Sequence, residues 1–198
     1  MSLRDNKKER TRTALRAAAY RLFREKGFDD TTVDQIAAEA GVSRTTFFRY
    51  YPTKEAVVFG RARDFGDALR KLIVERPRHE NPLQAFEGAL VGLARETVDE
   101  QMVEEARSLE ALLEANPALR RRHGEHVQEQ IGLVAEALAD RDGRSVDVEH
   151  RVAAGVGLVV SQAVRERWHA GGLEADAAAL LEETFALVRE LAGARRPG

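Results

Sequence analysis

The sequence predicts an all-α protein in which a small N-terminal domain of three helices precedes a larger helical domain. Apolar residues recur at helical spacing along most of the 198 residues. No segment alternates apolar and polar residues as a half-buried β-strand would. Proline and glycine clusters, such as residues 76–82 and Gly171-Gly172, separate the helical segments. The chain is long enough to build a separate core in each of two domains.

The first predicted helix runs from about Lys7 to Lys26 and ends at Gly27. Its buried stripe is predicted to consist of Leu15, Ala19, Leu22 and Phe23. A basic stretch at its start contains Arg4, Lys7, Lys8, Arg10 and Arg12. Such a stretch either follows a nucleic-acid backbone, as N-terminal arms do, or is a solvated chain end, and the sequence leaves both interpretations open.

Residues Thr31–Lys54 predict two short helices joined by a tight turn. Thr32 and Gln35 have the spacing of a capping pair, in which each side chain satisfies a backbone N–H at the helix start. The apolar face of that helix is formed by Val33, Ile36, Ala37 and Ala40. Gly41 stands where the chain must reverse, and Ser43 is suited to cap the next helix. This arrangement is typical of a helix-turn-helix.

The second of these helices carries side chains of the types that contact DNA. Guanidinium, hydroxyl and aromatic groups share two helical turns, and such groups reach base edges and phosphates from a helix in the major groove. The recognition candidates are Arg44, Thr45, Thr46, Arg49 and Tyr50. The alternative is that these residues form an ordinary solvated helix surface. The capped turn and the basic N-terminal segment favour the DNA-binding interpretation.

The same segment resembles the TetR family of bacterial helix-turn-helix transcriptional regulators. The motif residues are Gly27-Phe28, Thr32-Val33, Ile36-Ala37, Ala40-Gly41-Val42-Ser43, Phe47-Phe48, Tyr50-Tyr51 and Lys54-Glu55. Their spacing is more specific than a bare helix-turn-helix pattern, and they cover about the first quarter of the chain. The remainder matches the family in helical character and in length.

The resemblance implies that Thr32, Tyr50 and Lys54 contact phosphates and that Phe47 and Tyr51 pack the three-helix core. Two positions depart from the family's usual residues. Phe48 stands where family members usually have tyrosine, so this position on the DNA-binding surface lacks a hydroxyl for a phosphate. Tyr51 stands where they usually have phenylalanine, and we expect its hydroxyl to reach solvent.

A long helix over about 54–75 is predicted to connect the two domains, which we place at residues 1–53 and 54–198. Thr53 is the expected N-cap, and Lys54 lies just inside the helix start. A lysine there is unfavourable to the helix dipole, so its presence suggests a partner outside the helix, here a DNA phosphate.

The second domain is predicted to be helical throughout, with helices near 82–100, 102–115, 118–140, 146–169 and 174–192. By resemblance to the family, a small molecule enters between the helices of about 82–140, shifts the connector helix and changes the separation of two DNA-binding domains. The candidate pocket-wall residues are Phe65, Phe86, Leu90, Leu93, Met102, Leu109 and Leu112. Residues of these types are more often part of an ordinary core than of a pocket wall.

The last two helices are predicted to form a dimer interface as a four-helix bundle, again by resemblance. Two glycines in one helix imply close approach by another helix, because glycine costs a helix about 1 kcal/mol relative to alanine. The candidate interface residues are Gly155, Gly157, Leu158, Trp168, Leu180 and Leu187. Packing inside one protomer is the alternative. A nucleotide site at Gly155-x-Gly157 is disfavoured because no strand precedes it.

The charge is distributed unevenly along the chain, although the net charge is only −2. Residues 1–54 hold 12 Lys and Arg against 7 Asp and Glu, a net charge of +5. The remaining residues hold 19 against 26, a net charge of −7. A basic N-terminal segment on an acidic protein concentrates the attraction for phosphate where the motif lies.

Several other classes of function find little support in the sequence. The chain has no cysteine, and His123 and His126 lack an obvious third metal ligand, so we expect no metal and no cofactor. No nucleophile elbow, phosphate loop or metalloprotease helix is present, so we expect no enzyme. No apolar run reaches the length of a membrane span and no signal peptide is evident, so we expect a cytoplasmic protein.

The sequence therefore predicts a homodimeric transcription factor, most often a repressor, that binds a partly palindromic operator and responds to an unidentified, hydrophobic small molecule. A DNA-binding protein without an effector, constitutive or architectural, is the main alternative. A catalytic second domain would require a buried cluster of ionisable side chains.

Overall fold

The structure is a computed structural model, and it describes residues 3–97, 100–172 and 175–193. The helices are α1 (Leu3–Lys26), α2 (Val33–Glu39), α3 (Arg44–Tyr50), α4 (Lys54–Val58), α5 (Gly60–Glu75), α6 (Pro82–Thr97), α7 (Glu100–Ala115), α8 (Pro117–Asp142), α9 (Val148–Ala170) and α10 (Ala177–Gly193). These described ranges contain no β-strand, and the all-α prediction is confirmed. A search of the same ranges finds no helix with the length and apolar character of a membrane span.

The connector was predicted as one helix over 54–75, and that prediction is wrong. The chain forms two helices, α4 and α5, because Phe59 leaves the helical conformation, with φ −96° and ψ 5°. The ring of Tyr51 packs against the backbone at the following residue, Gly60. A Cβ added to Gly60 would lie 2.8 Å from the Tyr51 ring, so the close approach requires glycine there.

The helices pack into two compact units. The N-terminal unit contains residues 1–65 together with residues 104–123, and the C-terminal unit contains residues 66–103 and 124–198. Helix α7 contributes to both units, so packing does not follow chain order. The functional boundary after residue 53 stays a prediction.

The core of the N-terminal unit joins the first helices to a distant segment of the chain. Its buried residues include Leu15 and Phe23 of α1, Ile36 of α2, Phe47 of α3, Val57 and Val58 of α4, Leu112 and Leu113 of α7 and Leu119 of α8. The stripe predicted to be buried on α1, which consists of Leu15, Ala19, Leu22 and Phe23, is confirmed as buried. The C-terminal half of α7 thus packs as part of the same core as the helix-turn-helix.

A buried arginine crosses this core. Arg16 is only 3% exposed, its Nη1 donates to Asp64 Oδ2 at 3.0 Å, and its Nε lies 3.4 Å from Glu105 Oε2. Burial of Arg16 opposes its charge, but the facing Glu105 and Asp64 outweigh this and hold its pKa above the ordinary value. These ion pairs tie α1 to the first turns of α5 and to α7.

The C-terminal unit is built around α6, α9 and α10, which pack on one another. The rings of Phe86 on α6 and Phe185 on α10 are both fully buried, with centroids 6.4 Å apart. Helix α9 approaches this pair through Gly157, where an added Cβ would lie 2.5 Å from the Phe86 ring. Gly157 therefore makes room for an aromatic ring of its own protomer.

A polar cluster around the buried His150 holds the corner between α8 and α9. The carboxylate of Asp147 accepts from the His150 N–H, and His150 Nδ1 accepts from the Asp147 N–H. The other ring nitrogen of His150 lies 3.2 Å from Asp142 Oδ2. Burial opposes ionisation of Asp142, yet hydrogen bonds from Arg141 and His150 hold its pKa below the ordinary value. Both ring nitrogens of His150 are thus used in closing the corner, which is a structural role.

We predict that Arg16→Met lowers the free energy of unfolding by about 3 kcal/mol, because it takes from the buried Glu105 carboxylate its nearer cation and leaves only Arg61, whose Nε lies 3.9 Å away. Urea denaturation measures this change. Arg24→Met removes an exposed arginine of the same helix and should cost less than about 0.5 kcal/mol. Adding Glu105→Met to Arg16→Met should recover part of the loss. Equal effects of Arg16→Met and Arg24→Met would contradict a buried ion-pair role.

We also predict opposite effects for alanine at two helical glycines. Gly157→Ala should lower the free energy of unfolding by about 1–3 kcal/mol, because the new methyl group overlaps the Phe86 ring. Gly132→Ala on α8 has nothing within 4 Å of the added Cβ and should raise stability by up to about 1 kcal/mol. Thermal or urea unfolding of both variants measures these changes. If Gly157→Ala is as stable as Gly132→Ala, the close packing of Gly157 on the Phe86 ring is refuted.

Candidate nucleic-acid interface

The start of α2 is fixed by the predicted capping pair, which the structure confirms. The Gln35 N–H donates to Thr32 Oγ1 at 3.2 Å, and the Thr32 N–H donates to Gln35 Oε1 at 2.9 Å. The Thr32 side chain is exposed, and its oxygen is used here as an acceptor. Its hydroxyl hydrogen therefore points away from this bond and suits a phosphate oxygen.

The turn between α2 and α3 depends on a left-handed glycine and a serine cap. Gly41 has φ +66°, a conformation that costs glycine little, as predicted. The following residue, Val42, donates its N–H to Ala37 O at 2.9 Å and closes the turn. Ser43 Oγ then accepts from the Thr46 N–H at 3.1 Å, so the predicted N-cap of α3 is confirmed. These bonds set the angle between the two helices.

Helix α3 has one face in the core and one in solvent. Phe47 is fully buried, and Tyr51 just beyond the helix end is buried as well, which confirms both as packing residues. The expectation that the Tyr51 hydroxyl reaches solvent is wrong, because that atom is buried near Arg16, and burial raises the pKa of Tyr51. The exposed residues are Arg44, Thr45, Phe48 and Arg49, which we call the outer face of α3.

The two arginines of the outer face are held by neighbouring groups. Arg44 Nη1 donates to Asp34 Oδ2 of α2 at 2.6 Å, and its guanidinium lies 5.4 Å from the centre of the Phe48 ring. The Arg49 guanidinium lies 5.3 Å from the centre of the Tyr50 ring. Stacking on an aromatic face restricts an arginine side chain and so lowers the entropy lost when it binds.

Two other recognition candidates are less accessible. Thr46 is half-buried, and its Oγ1 accepts from Ser43 Oγ at 3.0 Å, so this hydroxyl takes part in the helix cap. Tyr50 is half-buried and packs against the core of the N-terminal unit. Thr45 and Phe48 are therefore the non-basic residues of α3 that face solvent most directly.

Lys54 is committed within the protein. Its Nζ donates to the carbonyl oxygens of Phe28, Asp29 and Thr31, at 2.5, 3.3 and 2.9 Å. Those carbonyls belong to the loop between α1 and α2. The helix-dipole argument predicted that the partner of Lys54 is a DNA phosphate. In the described structure its partners are instead backbone carbonyl oxygens. No described group of three His, Cys, Asp or Glu residues is placed to hold a metal ion.

Comparisons with known proteins agree with this geometry. A family model described as bacterial regulatory proteins of the tetR family matches residues 15–59, and one described as the MftR C-terminal domain matches residues 80–192. The HTH-type transcriptional regulator TcmR of Streptomyces glaucescens is 32% identical over 206 residues, covering 99% of this chain and 91% of that protein. The chain belongs to the TetR family.

Solved structures share the TetR-family fold. The fatty acid degradation regulator FadR from Bacillus halodurans superposes with a TM-score of 0.55 at 22% identity, covering 94% of this chain and 97% of that one. A complex of SmeT with triclosan gives 0.56 at 18% identity, covering 89% and 90%. The predicted family, fold class and role as a DNA-binding transcriptional regulator rather than an enzyme are confirmed.

In this TetR-family chain, the pocket-wall candidates are divided between the two units. Phe86, Leu90 and Leu93 are buried in the C-terminal unit. Phe65, Leu109 and Leu112 belong to the N-terminal unit, where Leu112 is part of the core and Leu109 packs against it. Met102 lies in α7, but its side chain is outside the described part of the structure. The sequence assigned all seven to one pocket without this division.

The predicted dimer residues also differ in their surroundings. Gly157, Trp168 and Leu180 are buried within the C-terminal unit, and Trp168 Nε1 donates to Ala175 O at 2.9 Å. Gly155 and Leu158 are half-buried, and Leu187 is exposed. Sequence reasoning missed four other apolar residues of α9 and α10 that, like Leu187, are more than half exposed. These four are Val148, Val152, Val159 and Leu191.

Proposed function

We propose that this TetR-family regulator is a homodimeric, ligand-responsive repressor that inserts α3 of each protomer into the major groove of a partly palindromic operator. The observation that carries the proposal is the outer face of α3, where two arginines, a threonine and a phenylalanine face solvent above a fully buried Phe47. Chromosomal DNA as the partner implies that the protein acts in the cytoplasm.

Each residue of this surface is suited to a particular contact. Arg44 and Arg49 are suited to guanine edges or to phosphates, because a guanidinium offers paired donors. Thr45 and Phe48 are suited to the methyl group of thymine, since both present apolar carbon to solvent. Thr32 and Tyr50 supply hydroxyl donors for phosphates, and Thr46 supports the surface from the helix cap.

Electrostatics favours this face over the rest of the protein. The segment that contains α1–α3 carries a net charge of +5, against −7 for residues 55–198. Phosphate attraction depends on local positive charge and is sequence-independent. Specificity then depends on the short-range contacts of the outer face. A DNA contact from Arg44 Nη1 would compete with its ion pair to Asp34, which adds a cost to binding at a site that offers no matching acceptor.

A second copy of the chain is the proposed partner for an apolar surface on α9 and α10. Val148, Val152 and Val159 follow one side of α9 at helical spacing, and Leu187 and Leu191 are one turn apart on α10. Each of these five side chains is more than half exposed. Exposed apolar residues that share one side of a helix are typical of an interaction surface. We call them the exposed valine–leucine face.

A two-fold dimer places two copies of α3 on the same side of the assembly. Helix-turn-helix dimers bind half-sites about 34 Å apart, or a multiple of a helical turn, and the operator then mirrors the symmetry of the protein. A change in the separation of the two α3 helices lowers affinity, because both can no longer reach their half-sites.

The effector is proposed to be a small hydrophobic molecule bound by the second domain. The structural neighbour SmeT was solved with triclosan, so this fold accommodates an apolar compound in that protein. Leu109 and Leu112 of α7 pack with the core that supports the helix-turn-helix. A ligand that displaces α7 would therefore disturb that core. The full burial of Phe86 suits the alternative of a solid second domain with no effector.

Selection of bound sequences from a random duplex library, using the purified protein, tests the proposed function. An enriched inverted repeat supports a sequence-specific dimer, and that duplex then serves as a probe for release by apolar compounds. Recovery of unenriched DNA with steep salt dependence supports an architectural protein instead. If the protein binds a specific sequence and no apolar compound in the screen releases it, the result supports a constitutive repressor.

We predict that Arg49→Ala weakens operator binding by about 1–3 kcal/mol while the protein stays dimeric, because the change removes a donor from the outer face alone. Fluorescence anisotropy with the selected duplex measures the affinity. Arg78→Ala, at an exposed arginine in the turn before α6, is the matched control and should bind as the unsubstituted protein does. Equal affinities of the two variants would exclude Arg49 from the interface.

We predict that a carboxylate on the exposed valine–leucine face dissociates the dimer. Val152→Glu places two like charges in a two-fold interface and buries them on association, which is unfavourable by several kcal/mol. Sedimentation equilibrium measures the mass, and operator affinity should fall in parallel. Val74→Glu introduces the same charge at an exposed valine of α5 and should leave the dimer intact. A dimeric Val152→Glu protein would place the interface elsewhere.

A further inference from the structure

We propose that Lys54 is a positioning residue that clamps the loop between α1 and α2, and that it does not bind a DNA phosphate. The inference rests on the proposed function, because it concerns how the DNA-binding surface is held. It assigns to this chain a different role for Lys54 from the one that the family resemblance implies.

The first argument is the number of donors. A lysine ammonium has three N–H donors and no acceptor. Three carbonyl oxygens of one loop, those of Phe28, Asp29 and Thr31, lie 2.5–3.3 Å from Nζ. Each donor thus has a backbone acceptor within the protein. A phosphate would have to displace at least one of these carbonyls and leave it without its charged donor.

The second argument is electrostatic. The three carbonyls follow the C-terminal end of α1, where the helix dipole favours a cation. The ring of Phe28 adds a cation–π contact, with Nζ 4.3 Å from its centre. Phe28 is itself held by Phe23 of α1, with ring centres 5.1 Å apart. These contacts account for a lysine at the start of α4, where the dipole of its own helix is unfavourable.

The third argument concerns what the clamp holds. Gly27 has φ +85° and ends α1, and the Thr31 hydroxyl donates to Gly27 O at 2.8 Å. Thr31 is almost fully buried, and the next residue, Thr32, is the N-cap of α2. By fixing this loop, Lys54 sets the position of Thr32 and of α2, against which α3 packs. The residue therefore acts on DNA through other residues.

Salt dependence distinguishes a clamp from a phosphate ligand. Each phosphate contact adds about 0.9 to the magnitude of the slope of log K against log salt concentration. A phosphate contact from Lys54 in both protomers would therefore add about 1.8 to that magnitude. A clamp leaves the slope unchanged, because its ammonium releases no counterion from DNA on binding. Its loss lowers specific affinity through misplacement of α2 and α3.

The test uses the full-length protein with Lys54→Met, Lys54→Arg and the control Lys71→Met, which removes the same charge from an exposed position of α5. Affinities for the selected operator and for an unrelated duplex are measured across a salt series. Stoichiometric titration gives the active fraction, so that a loss of folded protein is separated from a change in Kd of the folded protein.

If Lys54 is a clamp, both Lys54 variants lose about tenfold or more in affinity for the operator. Their affinity for the unrelated duplex, corrected for the active fraction, stays unchanged. Arginine does not rescue, because its planar fork cannot present three donors from one atom. The salt slope of Lys54→Met stays equal to that of Lys71→Met.

The proposal is overturned if Lys54→Met lowers the slope magnitude by about 1.8 and Lys54→Arg binds as the unsubstituted protein does. It is also overturned if neither variant changes operator affinity. If Lys54→Met does not fold, Lys54→Arg alone decides, since it keeps the charge but not the clamp geometry. Absence of any sequence preference in the unsubstituted protein would instead contradict the proposed function, a result separate from those above.

Discussion

The buried guanidinium of Arg16 is the constraint on which the N-terminal unit depends. A charge this deeply buried is tolerated only with counter-charges close by, and here they come from Asp64 of α5 and Glu105 of α7. These ion pairs restrain the separations of the three helices, because a shift of any one would lengthen an ion pair of the buried guanidinium. The helix-turn-helix packs on this framework through Phe47 and Ile36.

The local features of the DNA-binding surface could be predicted because they depend on neighbours in sequence. The capping pair of Thr32 and Gln35, the left-handed Gly41 and the Ser43 cap each involve residues within one helical turn or a short loop. The burial of Phe47 follows from helical periodicity. The break after α4 and the acceptors of Lys54 depend instead on groups from other segments, and no spacing in the sequence identifies those.

The second domain shows a different limit of sequence reasoning. Apolar residues at helical spacing predict that a face is covered, but they do not tell what covers it. On α9, Gly157 faces the Phe86 ring of its own protomer, whereas Val152 and Val159 face solvent. Helix α9 is apolar on both sides, which predicts a second interaction face besides the internal one. The apolar residues on both sides of α9 were the sequence signal that could have separated its internal face from its exposed face.

The presence of Leu112, Leu113 and Leu119 in the N-terminal core has a consequence for the construction of hybrid regulators. A recognition module excised at a boundary near residue 53 or 65 would lose these three leucines and the Glu105 partner of Arg16. Grafted onto a foreign sensor, such a module would expose apolar surface, and Arg16 would lack the buried carboxylate that faces its Nε. An exchange that transplants DNA specificity from this chain must therefore carry residues 104–123 along, so the unit of modularity is discontinuous in sequence.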